Sequence, residues 1–202
     1  MSPASDNTEV KWANPGALGL ASFGFTTVLL QIHNLGLIDS ILPLVYGFFW
    51  GGAAQVIAGI VDGRRGDSFG MTAFISFGFF WIGLSFGFLL QWMNIITLDN
   101  SGLAWVCICW GIFTFYMTIA TFKISIAHAL IFITLVVLFA LLALHFFEIL
   151  PAYIAGIVGL LCGGTSVYTS AAVILNEKYE RWVLPIGQLP RNKYRNHAGL
   201  VL

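Results

Sequence analysis

The sequence predicts an all-α membrane protein with six transmembrane helices and with both termini in the cytoplasm. The 202 residues are 58% hydrophobic and only 9% charged, whereas soluble domains carry about 25% charged residues. Six apolar stretches are each long enough to cross about 30 Å of hydrocarbon as a helix. When these stretches are numbered as alternating crossings, all nine Lys and Arg residues fall outside them and on one side.

The six stretches cover residues 16–36, 42–61, 70–92, 102–122, 127–147 and 152–175. They are continuously apolar without the period-2 alternation of a barrel strand, which favours helices. Asn14 and Pro15 are typical of the cap and first position of a helix, so the first crossing is expected to begin there. Residues 1–14 and 176–202 are then expected to be cytoplasmic segments that flank one transport domain, 15–175.

The basic residues predict the orientation in the membrane. Lys and Arg near the ends of membrane spans stay in the cytoplasm. The connectors on the opposite side carry acidic residues and no basic residue. This pattern predicts a multi-pass protein of the cell membrane with the Asn14 end of the first helix facing the cytoplasm and His33 facing outside.

The composition also argues against several functional classes. No basic stripe suggests a nucleic-acid partner, and no nucleophile–base pair, phosphate loop or metal-ligand spacing suggests an enzyme, a metal or a cofactor. The three cysteines lie in apolar stretches and are interpreted as packing residues. No charged residue lies in the middle of a predicted span, which favours a path for a neutral or anionic small solute over a cation pump.

Uncharged polar residues within the spans are the candidates for lining such a path. For Gln55, in the second span, pore lining and an interhelical hydrogen bond both remain open, because a buried amide must satisfy its donors and acceptor. His33 is interpreted either as a proton relay or anion partner, or as a neutral ring bonded to Asn34 or to a loop carbonyl. Three small-residue pairs predict close helix packing, within a subunit or between subunits: Gly47/Gly51, Gly83/Gly87 and Gly159/Gly163.

Several sequence blocks resemble one known family. The segment Asn14-Pro15-Gly16-Ala17-Leu18-Gly19-Leu20 resembles the N-P-[AG]-P-L-G-L signature of the acetate uptake transporter family, also called succinate–acetate permeases. Ala17 stands where the signature has its second proline. Further matching blocks follow in the same order along nearly the whole chain: Phe23-Gly24, Thr26 to Leu30, His33-Asn34, Gly51 to Gln55, Phe69 to Phe74, Leu138 to Ala143, Leu175 to Glu177 and Val183 to Gly187.

The resemblance implies a six-helix subunit, assembled as a hexamer, that moves acetate and in some members succinate through its own pathway. It implies an apolar constriction at Phe23, Phe77 and Leu135, with Phe77 where some members have tyrosine. The residues expected to line the path or bind substrate are Asn14, Leu18, Thr26, Thr27, His33, Asn34, Gln55 and Thr72. Channel-like and proton-coupled transport both remain open, and the alternative function is a membrane sensor of acetate or a scaffold that does not transport.

Overall fold

Six helical crossings make up the part of the chain that the structure describes. The computed structural model describes residues 12–188, so Lys11, Arg191, Lys193 and Arg195 lie outside the described residues. Each crossing is long and apolar enough to span a membrane, and the chain is a multi-pass membrane protein, as predicted.

The crossings form eight helical segments in chain order. They are α1 (Gly16–Asn34), α2 (Ile41–Tyr46), a π-helix (Gly47–Ala54), α3 (Gln55–Arg64), α4 (Ser68–Trp92), α5 (Asn100–Thr121), α6 (Ile126–Phe146) and α7 (Ala152–Tyr179). The second crossing is the continuous run from α2 through the π-helix to α3. It continues three residues past its predicted end at 61, and the last crossing continues four residues past 175. At both places the helix extends beyond its hydrophobic stretch, because polar residues can form its final turn.

The two ends of the bundle differ in charge. We call the end that holds the start of α1 and the end of α7 the terminal end, and the opposite end the distal end. The described basic residues all lie at the terminal end: Arg64, Arg65, Lys123, Lys178 and Arg181. For these five residues, the predicted one-sided distribution is present in the fold.

Side-chain caps explain where several helices begin. α1 begins one residue later than expected, because Pro15 is its cap residue and Gly16 its first helical residue. Asn14 Oδ1, just before the cap, accepts a hydrogen bond from the Gly16 N–H at 3.0 Å. Asp67 accepts from the Gly70 N–H at the start of α4, and Asp99 accepts from the Gly102 N–H at the start of α5. Hydrogen bonds from the Ser101 hydroxyl and the Gly102 N–H lower the pKa of Asp99. These oxygens satisfy N–H groups that have no partner within the helix.

α1 packs closely against α7. A Cβ on Gly163 would lie 2.8 Å from the Gly24 carbonyl oxygen, and a Cβ on Gly24 would lie 2.9 Å from that of Gly163. Two serines of α7 reinforce the contact: Ser166 Oγ donates to the Leu20 carbonyl at 2.8 Å and Ser170 Oγ to the Ala17 carbonyl at 2.6 Å. The small residues let the two backbones approach in a solvent that offers no hydrophobic driving force.

The three predicted glycine pairs have different surroundings. Gly47 and Gly51 pack against Ser85 and Thr26, and Gly159 packs against Gln31, so these two pairs mediate packing within the subunit. In contrast, a Cβ on Gly83 would have no neighbour within 4 Å. The Gly83 side of α4 is therefore open in the single subunit.

The segment after α7 folds back onto the start of α6. Asn176 holds this segment: its Oδ1 accepts from the Val183 and Leu184 N–H groups, and its Nδ2 donates to the Leu184 carbonyl. The Ile126 and Ala127 N–H groups then donate to the carbonyls of Gly187 and Ile186, at 2.8 and 3.1 Å. The segment thereby supplies hydrogen-bond acceptors for amides in the first turn of α6 that have no partner within the helix.

Candidate functional site

Two cavities meet end to end inside the bundle. The terminal cavity, of about 180 Å³, reaches from Asn14 and Asp62 toward the centre. The distal cavity, of about 260 Å³, reaches from the centre toward His33 and His145. The two cavities share three lining residues, Phe23, Phe77 and Leu135. The two cavities thus lie on either side of one apolar partition.

The partition is built by three helices that run in the same direction. Phe23 lies on α1, Phe77 on α4 and Leu135 on α6, with exposed fractions of 6%, 4% and 4%. The rings of Phe23 and Phe77 have centroids 5.9 Å apart and are tilted by 54°. Phe77 also contacts the rings of Phe113 and Phe132, at centroid distances of 5.4 and 6.1 Å. The residues expected to form the constriction are thus brought together. Such an apolar neck disfavours hydrated ions.

The mouth of the terminal cavity contains charged residues that the sequence reasoning did not include in the site. Asp62 lies in the last turn of α3, is 3% exposed and lines the cavity. Arg65 Nη1 lies 3.4 Å from Asp62 Oδ1 and donates to Asn14 Oδ1 at 3.1 Å. Gly70 lies directly against the Asp62 carboxylate, where any side chain would clash. Asn14 therefore joins the start of α1 to the ion pair between the buried Asp62 and the partly exposed Arg65.

Asp67 and His128 complete the polar wall of this cavity. Ser125 Oγ lies 2.7 Å from His128 Nδ1 and accepts from the His128 backbone N–H at 3.2 Å. The serine hydroxyl thus pairs with Nδ1 of the ring. Ser125 directly precedes the amides that the folded-back segment binds, so the chain after α7 supports one wall of the terminal cavity.

Gln55 also lines the terminal cavity and is 1% exposed. Its Nε2 donates to the carbonyl of Gly51, within the same crossing, so the predicted interhelical bond is not the one formed. The accepting Gly51 carbonyl lies in the π-helix that precedes Gln55.

The wall of the distal cavity contains polar side chains, none of which is Asp, Glu, Lys or Arg. Asn34 Nδ2 donates to Gln31 Oε1 at 2.9 Å. His33 Nδ1 donates to the Ile38 carbonyl at 2.9 Å, which matches the loop-carbonyl interpretation of this histidine. His145 Nδ1 makes the same kind of bond, to the Leu150 carbonyl at 3.1 Å. Thr27 and Trp81 complete this wall nearer the partition.

Three residues expected at the site lie elsewhere. Leu18 is 42% exposed and lines neither cavity, whereas Leu20 lines the terminal cavity. Two residues of separation turn a helical side chain by about 200°, which places these two leucines on opposite faces. Thr26 is buried against Gly51 instead of facing a cavity, and Thr72 is half-buried outside both walls.

Helical spacing from the predicted constriction would have identified some of the missed residues. Trp81, which was missed, follows Phe77 by four positions, just as the predicted Thr27 follows Phe23, and such pairs share one helix face. Asp62 gave no such signal, because the apolar window stopped just before it. Among residues 12–188, no group of three or more His, Cys, Asp or Glu side chains is placed to hold a metal ion.

Comparison with known proteins connects this geometry to a family. The family model described as GPR1/FUN34/yaaH family matches residues 1–191. The Escherichia coli K12 protein named "Succinate-acetate/proton symporter SatP" is 41% identical over 183 residues, which cover 88% of this chain and 97% of that protein. The Emericella nidulans protein named "Acetate permease A" is 29% identical over 89% of this chain and 67% of its own length.

A solved structure agrees with the fold. The structure titled "Structure of the bacterial acetate channel SatP" matches with a TM-score of 0.84 and 39% sequence identity, covering 88% of this chain and 100% of that one. That structure thus shares the helical bundle over nearly its whole length.

Proposed function

Because the chain belongs to the GPR1/FUN34/yaaH family, we propose that it transports acetate, and with it succinate and similar small carboxylates, through a pathway within each subunit. The observation that carries the proposal is the pair of cavities that meet at Phe23, Phe77 and Leu135 inside one chain. The names of SatP and of acetate permease A support the choice of substrate. Such a pathway fits a transporter and not an enzyme.

The two ends of acetate suit the two kinds of wall. The methyl group can pass the apolar partition, while the carboxylate needs hydrogen-bond donors on either side of it. The polar walls at Asn14 and Gln55 on one side, and at Thr27, Asn34 and Trp81 on the other, can receive it. In the described part of the path the partition itself carries no fixed cation, so we expect weak binding and fast passage.

We further propose that the terminal end faces the cytoplasm. The five described basic residues at that end support this orientation under the positive-inside rule. The transport domain, 15–175, would then lie between two cytoplasmic segments, 1–14 and 176–202. An impermeant thiol reagent applied to intact cells tests the orientation: Asp39→Cys should react and Gly66→Cys should not, and the reverse pattern would overturn it.

A hexamer is the proposed assembly. The open Gly83 face of α4 supports a contact outside the single subunit, because a small residue with no neighbour lets another helix approach. Native mass spectrometry of the protein released from lipid nanodiscs should give six chains per particle. A particle of one chain would contradict the hexamer while leaving the pathway within the subunit intact.

Uptake of labelled acetate into liposomes that contain the purified protein tests the function. The assay is run at alkaline pH, where the neutral acid that crosses lipid unaided is scarce. We expect uptake well above that of empty liposomes and competition by unlabelled acetate. Binding of acetate without flux would instead support the sensor or scaffold function. A pH-sensitive dye inside the same liposomes separates proton-coupled from channel-like transport.

A further inference from the structure

A buried carboxylate lies in the wall of a path that is proposed to carry anions. Asp62, in the last turn of α3, is 3% exposed and lines the terminal cavity. Gly70 makes room for it, since a side chain at Gly70 would clash with Asp62 Oδ2. An ionised carboxyl group is an acceptor only, so two carboxylates repel each other at close range. In its ionised form Asp62 therefore opposes the entry of a carboxylate solute.

The ion pair with Arg65 compensates the charge of Asp62 only in part. Arg65 Nη1 lies 3.4 Å from Asp62 Oδ1, whereas a close charge-assisted hydrogen bond measures about 2.7–2.9 Å. The Arg65 side chain is 33% exposed and also donates to Asn14 Oδ1 at 3.1 Å. Water screens a guanidinium with that exposure. The described residues donate no hydrogen bond to Asp62 Oδ2, which leaves this oxygen free to bind a proton.

Other polar groups of the terminal cavity come from the neighbouring helices. Asp67 lines it at the start of α4, His128 lines it from α6, and the uncharged Asn14 lines it beside α1. When His128 is neutral, the described residues at this mouth carry two carboxylates and one guanidinium, which is one negative charge in excess. A proton on Asp62 removes that excess.

Of the two carboxylates, Asp62 is the better candidate for this proton. Asp67 is exposed, so water and salt screen its charge from the solute. Its Oδ1 also accepts from the Gly70 N–H at 3.0 Å and so caps α4. Asp62 is buried, its charge is less screened, and its Oδ2 has no such structural use.

We propose that Asp62 sets the pH dependence of transport at the terminal mouth: its protonated form admits carboxylates quickly, and its ionised form slows them. The inference rests on the proposed function and adds to it the residue that responds to pH. The proton comes from water at the terminal end, binds to an oxygen of the Asp62 carboxylate and returns to the same water. No covalent bond of the solute changes. The ionised form slows passage without closing the path, so transport persists at alkaline pH.

Equilibrium exchange of labelled acetate measures this control without a pH gradient. Proteoliposomes hold the same pH and the same acetate concentration inside and outside, and exchange into empty liposomes is subtracted. From mildly acidic to alkaline pH we expect wild-type exchange to fall about tenfold and then level off, because one partly screened unit charge opposes each anion. Asp62→Asn has a permanently neutral side chain and should exchange at the fast rate throughout.

Glu180→Gln is the matched control. It removes a carboxylate at the same end of the bundle, but Glu180 is exposed at the end of α7 and lines neither cavity. It should therefore keep the wild-type pH profile. A parallel decline in the wild type and in Asp62→Asn would assign the pH dependence to protonation of the solute and overturn the role of Asp62. A flat wild-type profile would overturn it as well.

The infrared spectrum tests the protonation itself. Difference spectra between mildly acidic and alkaline pH are recorded for the protein in lipid without acetate. A protonated carboxyl group has a carbonyl band that a carboxylate lacks, and we expect such a band in the wild type that Asp62→Asn loses. Equal bands in the two proteins would show that Asp62 stays ionised, and would overturn the proposal. Asp62→Ser, with a smaller neutral side chain, replaces Asp62→Asn in both measurements if the amide lowers the melting temperature.

The possible results separate the two proposals. If the wild-type protein exchanges acetate no faster than empty liposomes at every pH, the proposed function itself fails. If a neutral variant at position 62 keeps the wild-type melting temperature but exchanges no acetate, the role of Asp62 fails and the function stands. A pH-dependent wild type beside a pH-independent Asp62→Asn supports the role, since a merely structural residue would not change the pH profile.

Discussion

The ring of Phe77 lies against the ring of Phe23, with centroids 5.9 Å apart, and this contact divides the space inside the subunit in two. The terminal cavity on one side has carboxylates in its wall, whereas the distal cavity has amide, hydroxyl, indole and imidazole groups. We therefore expect the ring contact to select solutes by size. We expect the polar walls on either side of it to recognise the carboxylate.

Phe23→Ala should widen the partition. With less side chain in the neck, we expect uptake of butyrate to rise relative to acetate by about tenfold or more, since removal of a whole aromatic side chain leaves a gap that the packed surroundings fill only in part. Competition assays in proteoliposomes measure the ratio. Phe25→Ala is the matched control, because Phe25 is 43% exposed and stacks on Trp50 outside both cavities. An unchanged ratio in Phe23→Ala would remove Phe23 from the gate.

Gly163→Ala should weaken the contact between α1 and α7. The added methyl group would lie 2.8 Å from the Gly24 carbonyl oxygen, so the helices must separate. We expect a loss of about 1–3 kcal/mol, the usual cost of overpacking, seen as a lower melting temperature. Gly164→Ala is the control, because a Cβ there has no neighbour within 4 Å. Equal melting temperatures for the two variants would contradict the described packing.

Arg65→Ala should destabilise the protein more than Arg64→Ala does. Arg65 contacts the buried Asp62 and Asn14, whereas Arg64 is exposed and makes no side-chain bond among the described residues. We expect a loss of about 1 kcal/mol, since the guanidinium is partly solvated. Adding Asp62→Asn should recover most of the loss by removing the unpaired charge. A double variant less stable than Arg65→Ala would contradict the pairing.

Asn176→Leu should release the segment that follows α7. The amide of Asn176 makes three hydrogen bonds to Val183 and Leu184, and a leucine of similar size makes none. We expect faster hydrogen exchange at the Ile126 and Ala127 amides, which donate to this segment, while the centre of α6 exchanges as in the wild type. Wild-type exchange at Ile126 and Ala127 would show that the segment is held by other contacts.

Much of the fold was predictable because hydropathy and charge act over whole helices. The six crossings and the one-sided basic residues follow from the need of the bilayer for long apolar helices. The helix ends were harder to predict, since the second crossing continues to Arg64 through polar residues. That extension buries Asp62 beside the pathway, although its sequence position suggested a connector.

It was harder to predict which residues of a given helix face the site. α1 is apolar around much of its circumference, so hydropathy does not say whether Leu18 or Leu20 faces the interior. The structure turns Leu20 and Phe23 inward and Leu18 outward. The family resemblance supplied Phe23, Phe77 and Leu135 together, but it did not supply Trp81, which stands one turn further along α4.

Reversible obstruction of the partition tests most directly whether solute passes between the two cavities. In a background with the three native cysteines replaced by alanine, Phe23→Cys is labelled with a bulky thiol reagent that forms a disulfide. Phe25→Cys is labelled as the control. The pathway described here predicts that labelling of Phe23→Cys abolishes acetate uptake into proteoliposomes and that reduction restores it, while labelled Phe25→Cys transports normally. Stoichiometric labelling of Phe23→Cys with undiminished acetate uptake would contradict a pathway through this point.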